Sequence, residues 1–517
     1  MPTPPKQATL DNAPDALVEG LRAVLQASTG RAVRRVETHI SWVLLDGEYA
    51  WKIKKPIRLG FLDFSSLQLR HQACEDELQL SQRLAPTIYL DVTPVFGNAE
   101  APRLEGPGTP IEYVLRMRQF ASDALLSARL AAGTLDAPTL DRLADTLATF
   151  HLHAPVAHST VPYGNAELIL GQTAQVLRGL EASADAPRLH QLRAWCETEG
   201  RCLVPAFEAR KRQGWVREGH GDLHLANVVD LGEQVTAFDC IEFDPALRWI
   251  DVQSDIAFLT MDLTAHGRRD LALRFLDRWL QSTGDYGGIA VLRYFEVYRA
   301  LVRALVTSIR KAQGSQATGP DYVATARDLA CARDARLLIT HGLSGSGKSY
   351  ISERLLEVAG AIRLRSDVER KRLFGLRALD TTPPAVAHEV YAPGATQRTY
   401  VRLREWAATA LDAGFPVIVD AAFLREHERG AFRELARDKN APFAILDCRA
   451  EPDVLRARVL ARSTHGGDAS EADLAVLKRQ LADSDALRPD ERDACIAVDT
   501  ARPLNVDAIA TQWIGMR

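Results

Sequence analysis

Residues 342–349 read Gly-Leu-Ser-Gly-Ser-Gly-Lys-Ser, and this octet restricts the chain around it more than any other feature. It follows the apolar run Leu337-Leu338-Ile339-Thr340 and precedes a helical stretch. The spacing G-x-x-x-x-G-K-[ST] is that of a backbone loop wrapped around phosphate. Gly342, Gly345 and Gly347 let the chain turn tightly, so successive N–H groups along Leu343, Ser344 and Ser346 point at phosphate oxygens beside a helix N-terminus. Lys348 supplies a cation for β- and γ-phosphates, and Ser349 offers a hydroxyl to Mg²⁺. ATP with Mg²⁺ is the expected ligand.

From 336 onward, short apolar segments at 337–340, 361–364, 416–419, 443–447 and 495–498 alternate with helical stretches. That alternation predicts βαβ units and a parallel sheet covered on both faces. After the second strand comes Arg365-Ser366-Asp367-Val368-Glu369-Arg370, which puts Asp367 and Arg370 on one helix face. Pro416-Val417-Ile418-Val419-Asp420 is an apolar strand ending in a carboxylate suited to magnesium or its waters. Arg456, Arg458 and Arg462 precede a polar, Gly-containing stretch, Ser463–Ser470, and read as phosphate-clamping arginines on a lid. The set resembles the small P-loop kinases of the polynucleotide kinase, zeta-toxin and gluconate kinase group, over about 337–515. The resemblance implies Asp367 as general base, Arg370 as acceptor contact, Ser349 and Asp420 at the metal, and Arg458 and Arg462 on the nucleotide.

A second phosphotransfer pattern lies upstream. Residues 220–227 read His-Gly-Asp-Leu-His-Leu-Ala-Asn, and twelve residues past Asn227 the apolar run Val235-Thr236-Ala237-Phe238 ends in Asp239. An Asp, four residues and an Asn is the spacing of kinase catalytic loops. The combination resembles the aminoglycoside phosphotransferase and choline kinase family, in which H-G-D replaces H-R-D, over about 30–310. The resemblance implies Asp222 as base, Asn227 and Asp239 as magnesium ligands, His220 as a structural member of the loop and Asp255 as its brace. Gly221 cannot read a phosphorylated activation loop, so that mode of switching is not expected.

Tyr49-Ala50-Trp51-Lys52 stands where V-A-I-K would be. Lys52 is the candidate for the α- and β-phosphates and Glu77 its partner, with Lys54 and Glu75 as runners-up on spacing alone. Lysine is scarce beside arginine in this chain, so a retained lysine points to a need for an ammonium. No Gly-rich loop joins the first two strands, only Glu37-Thr38-His39-Ile40-Ser41, where Thr38 and Ser41 can offer hydroxyls.

The expected architecture is an α+β kinase-like bilobal domain over 1–311, followed by an α/β P-loop NTPase domain over 336–517. The small lobe covers about 30–120 and the helical lobe about 121–311. Ala312–Pro320, small and polar, opens a linker and connecting helix over 312–335, and the two modules are expected to be independent. With 46% hydrophobic and 25% charged residues in 517, the chain is globular. A net charge of −4 argues against a nucleic-acid coat or polybasic membrane binder. Seven cysteines without a C-x-x-C pair, and no leading apolar run after Met1, fit a reducing, cytoplasmic setting without a membrane partner. Expected activity is ATP-dependent transfer of a γ-phosphoryl group to a small-molecule hydroxyl at each of two sites. The alternative is a P-loop kinase acting on a nucleic-acid end or nucleotide-sugar, with the upstream region as a ligand-binding regulator. Arg363, Arg365, Arg370, Lys371 and Arg372 would supply the basic groove for such an acceptor.

Overall fold

The computed structural model describes residues 13–59, 62–181, 188–312, 319–465 and 469–516. Packing divides the chain into two compact units, Met1–Leu135 with Arg217–Ile250, and Asp136–Val216 with Asp251–Arg517.

The first unit is built on an antiparallel sheet. Its strands are β1 (Arg34–Glu37), β2 (Ser41–Leu45), β3 (Tyr49–Lys54), β4 (Tyr89–Gly97), β5 (Pro102–Arg103) and β6 (Glu112–Arg118), in the order β1-β2-β3-β6-β4-β5. Helix α1 (Ala13–Thr29) buries Val18, Leu21 and Leu25 with Trp42, Trp51 and Ile53 of the sheet. Helix α2 (Leu67–Gln82) starts where the Ser66 side chain accepts the Leu69 N–H at 3.2 Å, an ordinary N-cap. Cys74 of α2 packs with Ala50, Tyr89 and Leu115. The later segment adds the hairpin β7 (Val228–Asp230) and β8 (Val235–Ala237). The strand β6 lies between β3 and β4 and completes the sheet.

The second unit contains helices α3 (Ala137–His153), α4 (Ala166–Glu181), α5 (His190–Arg212), α6 (Val252–Ala265), α7 (Arg269–Thr283), α8 (Ile289–Ala312) and α9 (Tyr322–Cys331). It also contains the parallel strands β9 (Arg336–His341), β10 (Ile362–Arg365), β11 (Pro416–Asp420), β12 (Phe443–Arg449) and β13 (Cys495–Asp499), in the order β10-β11-β9-β12-β13. Leu337, Leu338 and Ile339 are wholly buried, as a strand covered on both faces requires. Among the helices around this sheet are α10 (Lys348–Ala359), α11 (Ser366–Arg372), α12 (Pro393–Asp412), α13 (Pro452–His465) and α14 (Leu474–Asp483).

The independence expected of the helical and parallel-sheet regions is corrected by their packing. Leu273 of α7 sits in one core with Leu338, Ile351, Ile418 and Trp513. Tyr322, Val323 and Ala326 of α9 pack onto α5, α6 and α8, so the connecting helix belongs to the helical core. Residues 313–318 of the expected linker lie outside the described residues. The antiparallel region with its Lys/Glu pair is kinase-like, and the parallel region has the P-loop NTPase fold. Among the described residues no helix is long and apolar enough to cross a membrane.

Candidate active sites

Lys52 and Lys54 stand two residues apart on β3, so their side chains leave the same side of the strand. Both reach Glu77, which is fully buried on α2: Lys52 Nζ donates to Oε1 at 2.7 Å and Lys54 Nζ to Oε2 at 2.5 Å. Glu75 is half-exposed and pairs with His71 at 3.3 Å. Lys52 also donates to Asp239 Oδ1 at 2.6 Å, and Lys54 donates to Glu242. Burial by itself would lower the Lys52 pKa, but the Asp239 and Glu77 carboxylates outweigh it and hold the ammonium well above its ordinary value. Asp239 shows the converse. Burial pushes its carboxyl up, Lys52 pulls it further down, and the net shift is below the ordinary range.

Asp239 adopts φ +65°, rare for a residue with a side chain, and its N–H donates to Tyr89 Oη at 2.9 Å, which holds the turn. The preceding loop is fixed by His220, whose Nε2–H donates to the Phe238 carbonyl at 2.8 Å while Nδ1 accepts the Asp222 N–H at 3.2 Å. Those two partners define one neutral tautomer. Gly221 has φ +88°, and a Cβ there would stand 2.7 Å from the Leu247 carbonyl oxygen, so the H-G-D glycine is required by geometry. Asn227 Nδ2 donates to the Asp222 backbone oxygen and to Oδ2, both at 3.0 Å. With its amide nitrogen committed to Asp222, its side-chain oxygen is the atom left for a cation. His224 Nε2 lies 3.4 Å from Asp222 Oδ2. Thr38 Oγ1 donates to the Ser41 carbonyl at 3.1 Å, closing the β1–β2 turn. Asp255, on α6, lies 3.3 Å from His151 Nε2 and is fully buried.

In the second unit the glycine loop connects β9 to α10. Gly342 has φ +142°, and a Cβ there would meet the Cys448 carbonyl oxygen at 2.5 Å. Gly347 caps α10 in the left-handed conformation. Lys348 Nζ donates to the carbonyls of Gly342 and Leu343 at 3.0 and 2.9 Å. Burial lowers its pKa, and Asp420 offsets only part of that. A cavity of about 1130 Å³ opens here, lined by Ser344, Gly345, Gly347, Lys348, Ser349, Asp367, Arg370, Asp420, Arg458 and Arg462. Gly342, Leu343 and Ser346 line a second cavity.

Asp367 and Arg370 both lie on α11. Arg370 donates to Thr396 Oγ1 at 2.9 Å and stacks 5.6 Å from the Tyr391 ring. Asp420 ends β11, buried, with its Oδ2 3.2 Å from Ser352 Oγ. Arg458 donates to the Gly345 carbonyl at 3.3 Å and to Thr500 Oγ1 at 2.9 Å, and Arg462 donates to the Ala472 carbonyl at 2.7 Å. Arg456 pairs with Asp453 on the surface. Residues 466–468 of the expected lid stretch lie outside the described residues.

Of the five residues expected to supply a basic groove, Arg370 lines the cavity and three are paired within the fold. Arg363 is buried against Asp277, Lys371 is buried and pairs with Glu471 at 3.0 Å, and Arg372 pairs with Glu369. These charges are spent inside the fold.

Several side chains at the sites carried no sequence assignment. Glu242 was visible three residues after Asp239, and the scarcity of lysine could have sent Lys54 to it. Ser352 and Gln480 left no signal, because their partners, Asp420 and the Ser344 N–H, meet them only through the tertiary fold.

Residues 337–487 match the family model described as an AAA domain. Over 462 residues the chain is 29% identical to an uncharacterized protein of Mycobacterium tuberculosis strain H37Rv, covering 87% of this chain and 90% of that protein. A sugar kinase from Janibacter sp. is similar at TM-score 0.28 and 23% identity, over 35% of this chain and 95% of that one. A choline/ethanolamine kinase family protein from Mesorhizobium loti is similar at TM-score 0.35 and 12% identity, over 60% of this chain and 92% of that one. The segment 337–487 is thus similar to the AAA domain family, and most of the chain is similar to a mycobacterial protein.

Proposed function

We propose that the chain is an ATP-dependent phosphotransferase with two nucleotide sites, each passing a γ-phosphoryl group to the hydroxyl of a small molecule. One observation carries the reading: Lys52, Glu77 and Asp239 form a single ion-paired cluster in the unit where Asn227 is bonded to Asp222. Ligand binding alone does not call for a base beside a metal-type Asn/Asp pair.

At the first site Asp222 accepts the acceptor's hydroxyl proton as its oxygen attacks the γ-phosphorus, and ADP leaves. Lys52, oriented by Glu77, neutralises the α- and β-phosphates. At the second, the N–H groups of 342–349 and Lys348 cradle the β- and γ-phosphates, Asp367 takes the acceptor proton, Arg370 contacts the acceptor, and Arg458 and Arg462 clamp the nucleotide. Asn227 and Asp239, and Ser349 and Asp420, are oxygen donors that would hold Mg²⁺, and the ion when bound would supply positive charge against the phosphates. An ion shared with phosphate needs few protein ligands.

The second reading is an acceptor bearing phosphate, such as a nucleic-acid end or a nucleotide-sugar, at the P-loop site. It is favoured by Arg404 and Arg479, which line that cavity without an ion-pair partner among the described residues. The test is ATP consumption by the full chain across sugars, amino alcohols, nucleosides, nucleotide-sugars and 5′-hydroxyl oligonucleotides. Asp222→Asn and Lys348→Ala assign each activity to a site. Acceptor-dependent turnover lost in one variant and kept in the other supports two sites. No acceptor-dependent turnover in any combination, with ATP still bound, would overturn the reading in favour of a nucleotide-binding regulator.

A further inference from the structure

Arg363 and Arg365 leave the edge strand β10 and end on residues of α7, a helix far upstream in the chain. Arg363 binds Asp277 through two bonds, 2.6 Å to Oδ2 and 3.3 Å to Oδ1, and both side chains are buried. Its other nitrogen lies 3.4 Å from the Ser349 carbonyl and 3.5 Å from Ser352 Oγ. Ser352 Oγ stands 3.2 Å from Asp420 Oδ2, and Arg365 Nε stands 3.5 Å from that same oxygen. Arg365 then donates to Gln281 Oε1 at 3.2 Å, and Gln281 Nε2 donates to Asp277 Oδ2 at 2.6 Å. The contacts close into a ring: Asp277, Arg363, Ser352, Asp420, Arg365, Gln281.

We infer that Asp277 and Gln281 are positioning residues for the P-loop site, setting the orientation of the Asp420 carboxylate from the helical region. The inference rests on reading that loop as a nucleotide–magnesium site. A buried guanidinium needs a carboxylate, and for Arg363 it comes from α7. Once pinned there, Arg363 and Arg365 are fixed donors around Ser352 and Asp420. Groups bonded behind a carboxylate that serves a metal set its angle, and removing them typically costs about 10- to 100-fold in metal affinity. The P-loop site is therefore incomplete without α7.

The experiment uses the full chain and reads two quantities. One is melting temperature. The other is the Mg²⁺ concentration giving half-maximal binding of a fluorescent ATP analogue, counting only the binding that Lys348→Ala abolishes. Gln281→Met cuts the ring while leaving the Asp277–Arg363 pair. The double variant Asp277→Asn/Arg363→Met removes both buried charges together, so that neither is stranded. Both are expected to melt near wild type and to need about tenfold more Mg²⁺. Wild-type Mg²⁺ requirements in both variants would overturn the positioning role, leaving Asp277 purely structural. If Lys348→Ala abolishes no Mg²⁺-dependent binding in the parent chain, the P-loop reading itself falls, which is a separate result.

Discussion

Lys54 and Glu242 form a fully buried ion pair beside the Lys52–Glu77 pair, so two lysines of one strand share a single glutamate while each holds a second carboxylate of its own. The arrangement ties β3, α2 and the segment after β8 into one charge cluster. Its members cannot be removed independently.

Glu77→Gln is expected to destabilise the fold by about 3 kcal/mol, the low end for a broken buried pair, because Lys52 keeps Asp239 and Lys54 keeps Glu242. Thermal or urea unfolding of the full chain measures it. A change below about 1 kcal/mol would mean that the remaining carboxylates fully compensate.

Asp222→Asn is expected to abolish acceptor-dependent turnover at the first site while nucleotide binding stays near wild type. The change is nearly isosteric and removes a base, not a phosphate contact. Titration calorimetry with ATP, beside the acceptor assay, separates the two. Undiminished turnover would remove Asp222 from the chemistry.

Gln480 Oε1 accepts the Ser344 N–H at 2.8 Å, in the loop that would cradle phosphate. A nucleotide using that N–H must first displace the glutamine. Gln480→Ala is therefore expected to tighten ATP binding at the P-loop site by about fivefold, the scale of one net hydrogen bond of ~1 kcal/mol. Weaker binding would instead make Gln480 a nucleotide contact.

The Lys52–Asp239 pair sets a pH window. Asp239 has a lowered pKa, so its contribution to stability is present above the ordinary carboxylate value and lost as pH falls through the lowered one. Lys52 has a raised pKa, so its contribution is complete below the ordinary lysine value and lost only as pH rises through the raised one. Melting temperatures of wild type and Asp239→Asn should thus differ by a constant amount through neutral pH and converge only in strong acid or strong alkali. Convergence between pH 6 and 8 would contradict the pairing.

Cleavage of the chain near Gly314 is expected to leave two fragments that co-elute on size exclusion. Leu273 and Asp277 of α7 stay buried against Ile351 and Arg363 of the later segment, and parting a buried pair costs about 3–5 kcal/mol. Separate elution, each fragment melting as in the intact chain, would restore the picture of independent modules.

The glycine loop, the alternation of short strands and helices after 336, and the His220–Asn227 spacing are local patterns, and local patterns are legible because backbone turns and periodicities need only neighbours. Lys52 and Glu77 were legible for the same reason, as a strand and helix position relative to a motif. The choice of Glu77 over Glu75 was not local: it depends on which face of α2 meets β3, which packing decides. Arg363 shows the limit most clearly. By composition it belonged to a basic run facing an acceptor, yet a buried guanidinium must find a carboxylate. The one that reaches it is on a helix whose approach to β10 no spacing in the sequence encodes. Sequence by itself determined where the glycine loop and the His220–Asn227 loop lie and which polar side chains they carry. The tertiary fold decided which charges remain available for it, because desolvation ties every buried charge to whatever partner packing brings within reach.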